Sequence, residues 1–142
     1  MRFWDASAVV PLLVGEAEHA AARSAFVTDP DMAAWWGTAV ECVSAITRRA
    51  REGTLDAEAV SGAIERLDAL AAAWQEVEPT PRIRQSAIRM LRVHSLRAAD
   101  ALQLAAALAA AEDNPITLPI VTYDDRLAEA ARHEGFAVVT PR

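Results

Sequence analysis

The chain has 142 residues, 53% hydrophobic and 24% charged, which suits one globular domain with its own core and argues against a disordered chain. All 14 basic residues are arginine and the formal net charge is −6. The missing lysine excludes phosphate-loop and Schiff-base enzymes, and the acidity disfavours tight nonspecific nucleic-acid binding.

Taken in chain order, short apolar strands are predicted at Arg2–Trp4, Met32–Trp36, Gln75–Glu78, Pro119–Thr122 and Ala137–Thr140. Between them the Ala-, Leu-, Arg- and Glu-rich stretches predict helices. These are Ala6–Val14, Glu16–Phe26, Thr38–Arg51, Ala57–Trp74, Pro81–Val93, Ala98–Glu112 and Asp125–Glu134. Turn signals fall at Asp29-Pro30-Asp31, Glu78-Pro79-Thr80-Pro81 and Asp113-Asn114-Pro115. Strands alternating with helices imply an α/β fold whose parallel sheet is covered on both faces. The Gln75 strand is polar enough to be an edge. No basic, apolar leader opens the chain, and the apolar run 101–111 is too short to span a bilayer. A soluble cytoplasmic protein without a membrane partner is therefore expected.

This order of elements places four carboxylates together. Ligands of open α/β sheets bind at the carboxyl ends of the strands. Asp5 follows the first strand and Asp124 follows the Pro119–Thr122 strand. Glu41 lies early in the helix after the second strand. Asp100 lies early in the helix leading toward Pro119–Thr122, and such a helix starts at the strands' carboxyl edge. All four acids thus face one edge. Each also has a purely structural use: Asp5 and Asp124 can cap helices, and Glu41 and Asp100 suit the positive end of a helix dipole. Gathered without a cation, however, at least one acid must stay protonated. Oxygen-only ligands favour Mg²⁺, with Mn²⁺ able to substitute, over zinc, and retained waters can reach Ser7 and Thr122. A metal-activated water then predicts phosphodiester hydrolysis.

The other chemistry-bearing residues carry less. His19, His94 and His133 lack metal-ligand spacing, and Ser7 lacks the glycines of a nucleophile elbow. Cys42 has no disulfide partner and no nearby histidine, so it reads as a small core residue. Trp35-Trp36 reads as strand-end packing. The arginine clusters 48–51 and 82–97 read as solvated helix faces, or as phosphate guides if the acids hold a metal. Arg48 and Arg97 are the candidates for phosphate contacts.

Asp5-Ala-Ser-Ala, Val40-Glu-Cys-Val-Ser-Ala-Ile, Leu96-Arg-Ala-Ala-Asp-Ala-Leu-Gln-Leu-Ala and Val121-Thr-Tyr-Asp-Asp-Arg-Leu-Ala-Glu-Ala-Ala resemble the four acidic motifs of PIN-domain ribonucleases. More narrowly they resemble the VapC toxins of toxin–antitoxin modules, over essentially the whole chain. The resemblance implies a single PIN domain over residues 1–142, an α/β/α sandwich with a five-stranded parallel sheet in order 3-2-1-4-5. It also implies Mg²⁺-dependent endoribonuclease activity, homodimerisation and neutralisation by a cognate VapB-type antitoxin whose tail covers the acidic groove. Asp5, Glu41, Asp100 and Asp124 would hold the metal and its waters, with Thr122 in support, and Asp125 competes with Asp124 for the fourth place. A haloacid-dehalogenase-type phosphatase would need a second Asp where Ser7 stands, and a lysine. A receiver domain lacks the same lysine. The non-enzymatic alternative is a PIN-like module that binds RNA or protein without cutting.

Overall fold

The computed structural model describes residues 1–15 and 18–142. In chain order its elements are β1 (Arg2–Trp4), α1 (Ala6–Val14), α2 (His19–Thr28), β2 (Met32–Trp35), α3 (Thr38–Arg51), α4 (Ala57–Ala73), β3 (Gln75–Val77), α5 (Pro81–Val93), α6 (Ala98–Ala110), β4 (Ile120–Val121), α7 (Asp125–His133) and β5 (Val138–Val139). The strands form one sheet in the order 3-2-1-4-5, every neighbouring pair parallel. This is the expected topology, with the polar β3 at an edge.

Alternation along the strands builds two cores. Phe3, Ala33, Trp35 and Ile120 pack with Met90 of α5, Leu104 of α6 and Leu127 of α7. Trp4, Met32, Ala34 and Val121 pack with Leu13 of α1, Ile46 of α3 and Leu67 of α4. The sheet is therefore buried on both faces, as a parallel sheet requires. Side-chain caps fix where several helices start. Asp56 accepts from the N–H of Ala59 at 2.8 Å and Thr80 from that of Ile83 at 3.2 Å, and such a cap contributes about 1 kcal/mol.

The elements differ from expectation mainly at their ends. The regular part of β4 is two residues, yet the ladder reaches the expected limits through Phe3 N–H to Pro119 O at 2.9 Å and Thr122 N–H to Val139 O at 3.1 Å. Helix α6 stops at Ala110 rather than Glu112, because Glu112 and Asp113 take φ of 51° and 60°, left-handed values that end a helix. Helix α2 runs two residues past Phe26, and its expected start at Glu16 lies outside the described residues. Trp36 corrects the packing expectation for the tandem tryptophans. Trp35 is buried, but Trp36 is 53% exposed beyond the end of β2.

Gly37 links this strand end to α3. A Cβ added there would lie 2.6 Å from Nε1 of the buried Trp35 indole, so the turn into the helix carrying Glu41 has no room for a side chain. Gly37→Ala is expected to lower unfolding stability by about 1–3 kcal/mol in thermal or denaturant melts. An unchanged stability would show that Trp35 moves aside freely.

Candidate active site

The sheet reverses its winding at β1: one connection leads to β2 and the other side is occupied by β4. Such a switch point leaves a crevice at the carboxyl edge. Asp5 ends β1 at this place and is 4% exposed. Its Oδ2 accepts from the Ser7 hydroxyl at 2.5 Å, the Thr122 hydroxyl at 2.9 Å and the Ser7 N–H at 3.3 Å. Among the described residues no donor reaches Oδ1. The two hydroxyls in turn accept from the β4–α7 turn, Ser7 from the Tyr123 N–H at 2.9 Å and Thr122 from the Asp124 N–H at 3.0 Å. Each hydroxyl has one proton, already given to Asp5. Their mutual approach of 3.1 Å is therefore a contact between two oxygens held by the same carboxylate.

Glu41 sits in the first turn of α3. Gln103, buried in the middle of α6, donates through Nε2 to the Thr38 hydroxyl at 3.0 Å and to the Glu41 carboxylate. Its Oε1 is buried without a partner. Gln103 and Thr38 are positioning groups that sequence reasoning missed. The available signal was one amide in an otherwise apolar run, three residues after Asp100 on the same helix. Asp100 lies in the first turn of α6, and Asp124 caps α7 by accepting from the Leu127 N–H at 2.9 Å. Asp100, Asp124, Asp125, Arg97 and Arg126 line a cleft of about 410 Å³.

The four acids form one electrostatic group. Burial raises the Asp5 carboxyl above its ordinary value, the hydrogen bonds from Ser7 and Thr122 oppose this, and Asp100 raises it further. Burial lifts Glu41 to about 7, against the Gln103 hydrogen bond and reinforced by Asp5 and Asp100. Asp100 is raised by burial and then by Asp124, while the Arg97 N–H and the charges of Arg97 and Arg126 pull it back. Asp124 rather than Asp125 is the neighbour that couples to Asp100. Burial pushes the Cys42 thiol up to about 12, with Glu41 and Asp5 adding to it, so it is no nucleophile at neutral pH.

Of the expected phosphate contacts, Arg97 is at the cleft and Arg48 is not. Arg48 lies in the last turn of α3, seven residues beyond Glu41 and about 10 Å further along the helix axis. Arg126 takes its place as the second arginine of the cleft. The histidines stay apart from the acids. His19 pairs with Pro11 O at 2.7 Å, and His94 pairs with Glu134 at 2.7 Å and stacks on His133.

As they stand, no three acidic, histidine or cysteine side chains among the described residues converge closely enough to enclose an ion. The donor set nevertheless fits a hard cation. It is all oxygen, burial and then mutual repulsion raise the Asp5, Glu41 and Asp100 carboxyls, and Asp5 keeps Oδ1 uncommitted. Mg²⁺ normally keeps several waters and needs only one or two direct carboxylates. No described helix is long and apolar enough to cross a membrane.

Known proteins place this geometry in a family. No curated protein sequence matches the chain significantly. Among solved structures, the chain is similar to Mycobacterium tuberculosis VapC20, described as a sarcin–ricin loop cleaving toxin, at 19% identity and a TM-score of 0.73, covering 99% of this chain and 100% of that one. It is similar to a toxin–antitoxin complex from Klebsiella pneumoniae at 17% identity and a TM-score of 0.68, covering 100% and 98%. It is similar to FitAcB from Neisseria gonorrhoeae at 16% identity and a TM-score of 0.69, covering 99% and 98%. At such identities these likenesses speak for the fold. The PIN-domain family model matches residues 2–133, and the chain therefore belongs to the PIN-domain family.

Proposed function

We propose that this protein is a divalent-metal-dependent endoribonuclease acting as the toxin of a toxin–antitoxin pair. The observation that carries the reading is the gathering of Asp5, Glu41, Asp100 and Asp124 at one sheet edge, where burial and then mutual repulsion raise the Asp5, Glu41 and Asp100 carboxyls and leave them suited to trade protons for a cation. Asp5, Asp100 and Asp124 would hold Mg²⁺ or Mn²⁺ and its waters. When bound, the ion would supply Lewis acidity toward a phosphoryl oxygen and a more acidic water. Ser7 and Thr122 fix the rotamer of Asp5, so Oδ1 faces its task without reorganising. Gln103 orients Glu41, whose pKa near 7 suits the exchange of a proton with an attacking water. Arg97 and Arg126 sit where they can pair with the phosphates of a strand in the cleft. The toxin role, a VapB-type antitoxin and a homodimer belong to the same reading. The toxin role and the antitoxin are supported by the family and by the likeness to a cleaving toxin and to a toxin–antitoxin complex.

Purified protein is expected to cut single-stranded RNA with Mg²⁺ or Mn²⁺ and to stop on chelation. Asp5→Asn or Asp100→Asn should lower the rate by about 100-fold or more, as losses of charge-stabilising groups do. RNA that binds but is never cut under any divalent ion would support the binding-module alternative instead.

The raised carboxyls also set a pH dependence. Glu41 keeps its proton to about 7 in the folded chain against an ordinary 4.5, and Asp5 and Asp100 shift the same way. Across that window the folded state binds more protons than the unfolded one, so the metal-free protein loses stability as pH rises from about 4.5 through about 7. A cation replaces those protons, so Mn²⁺ should raise the melting temperature more near pH 8 than near pH 5. Asp100→Asn should shrink that difference. A Mn²⁺ effect independent of pH would count against a shared carboxylate site.

A further inference from the structure

Arg126 stands between two openings. It lines the acidic cleft with Arg97, and it lines a separate cavity of about 190 Å³ where the end of α5 meets α7, together with His94, Ser95, Glu129 and His133. One wall of this cavity is already braced. Glu134 accepts from Arg89 at 2.6 and 3.3 Å and pairs with His94 at 2.7 Å, and the His94 and His133 rings lie 18° from parallel. The other polar groups are not bonded in this way, although the charge of Arg126 also acts on Asp100. Among the described residues, the side chains of Arg126, Ser95 and His133 form no hydrogen bond or ion pair. An arginine fork, a hydroxyl and an imidazole around one cavity are donors seeking an acceptor. The volume holds about six waters, enough room for a phosphate group.

We propose that this cavity is a second phosphate subsite, in which Arg126 and Ser95 hold the phosphodiester adjacent to the one at the acidic cleft. The proposal rests on the reading that RNA enters that cleft. Arg126 is then a positioning residue, because it reaches both openings and sets the register of the strand on the acids. Glu129 is the one carboxylate lining the cavity and opposes an anion there, so the site predicts charge effects of opposite sign.

The test measures binding of a labelled single-stranded pentaribonucleotide to protein carrying Asp100→Asn, and cleavage by the otherwise unaltered protein. Arg126→Gln should weaken binding by about tenfold and reduce the salt slope by about 0.7, the share of one single-strand phosphate contact. Glu129→Gln should tighten binding. Arg132→Gln, also exposed on α7 but outside both openings, should do neither. In cleavage, Arg126→Gln should raise KM several-fold more for the pentanucleotide than for a dinucleotide, whose single phosphodiester occupies the acidic cleft alone. Equal effects of Arg126→Gln and Arg132→Gln, or an equal loss on the dinucleotide, would overturn the subsite. So would unchanged RNA binding with weakened binding of an acidic peptide, which would make the cavity a protein contact. Arg126-dependent binding of RNA that is never cut would instead sink the nuclease reading and leave the subsite standing.

Discussion

The Oδ2 atom of Asp5 takes hydrogen bonds from the Ser7 hydroxyl, the Ser7 N–H and the Thr122 hydroxyl, and this small cluster joins the end of β1 to the end of β4. Those strands flank the switch point of the sheet. Because both hydroxyls also accept from the turn into α7, one carboxylate fixes the start of α1 and the turn bearing Asp124 together. Burial of an acid at this place is costly, and three donors on a single oxygen only partly offset it, since the carboxyl still stays raised. The same residue therefore braces the crevice and leaves its other oxygen, Oδ1, without a donor among the described residues.

The other acids reach Asp5 by helix direction. Glu41 and Asp100 lie in the first turns of α3 and α6, and Asp124 caps α7. Each helix directs its positive end to the carboxyl edge, worth about 0.3–1 kcal/mol per acid. Even so, burial and then repulsion leave Asp5, Glu41 and Asp100 raised. Capping and dipole effects account for where the acids sit, but not for why they share one crevice. In the proposed reading a cation with its waters would resolve the remaining conflict, and the arginines at the rim, Arg97 and Arg126, would extend the positive field toward a polyanion.

Much of this was readable from the chain. Strand-end Asp5 and Asp124 and helix-start Glu41 and Asp100 follow from element direction alone, and so does the parallel order once the resemblance is granted. Three features were not readable. Arg48 was grouped with its neighbours by sequence, but it lies ten residues after Thr38, in the last turn of α3 and away from the crevice. Gln103 is a single amide in the apolar run 101–111, and its role depends on packing against Thr38 and Glu41, 65 and 62 residues away. Trp36 looked like core because strand alternation says nothing about what covers the next residue after a strand ends.

Anomalous diffraction from a crystal soaked in Mn²⁺ tests the central claim most directly. The account predicts one principal peak at the carboxyl edge, coordinated by Asp5 through Oδ1 and by Asp100 or Asp124, with Oδ2 still held by Ser7 and Thr122. A peak elsewhere, or an acidic crevice that stays free of metal at millimolar Mn²⁺, would contradict it.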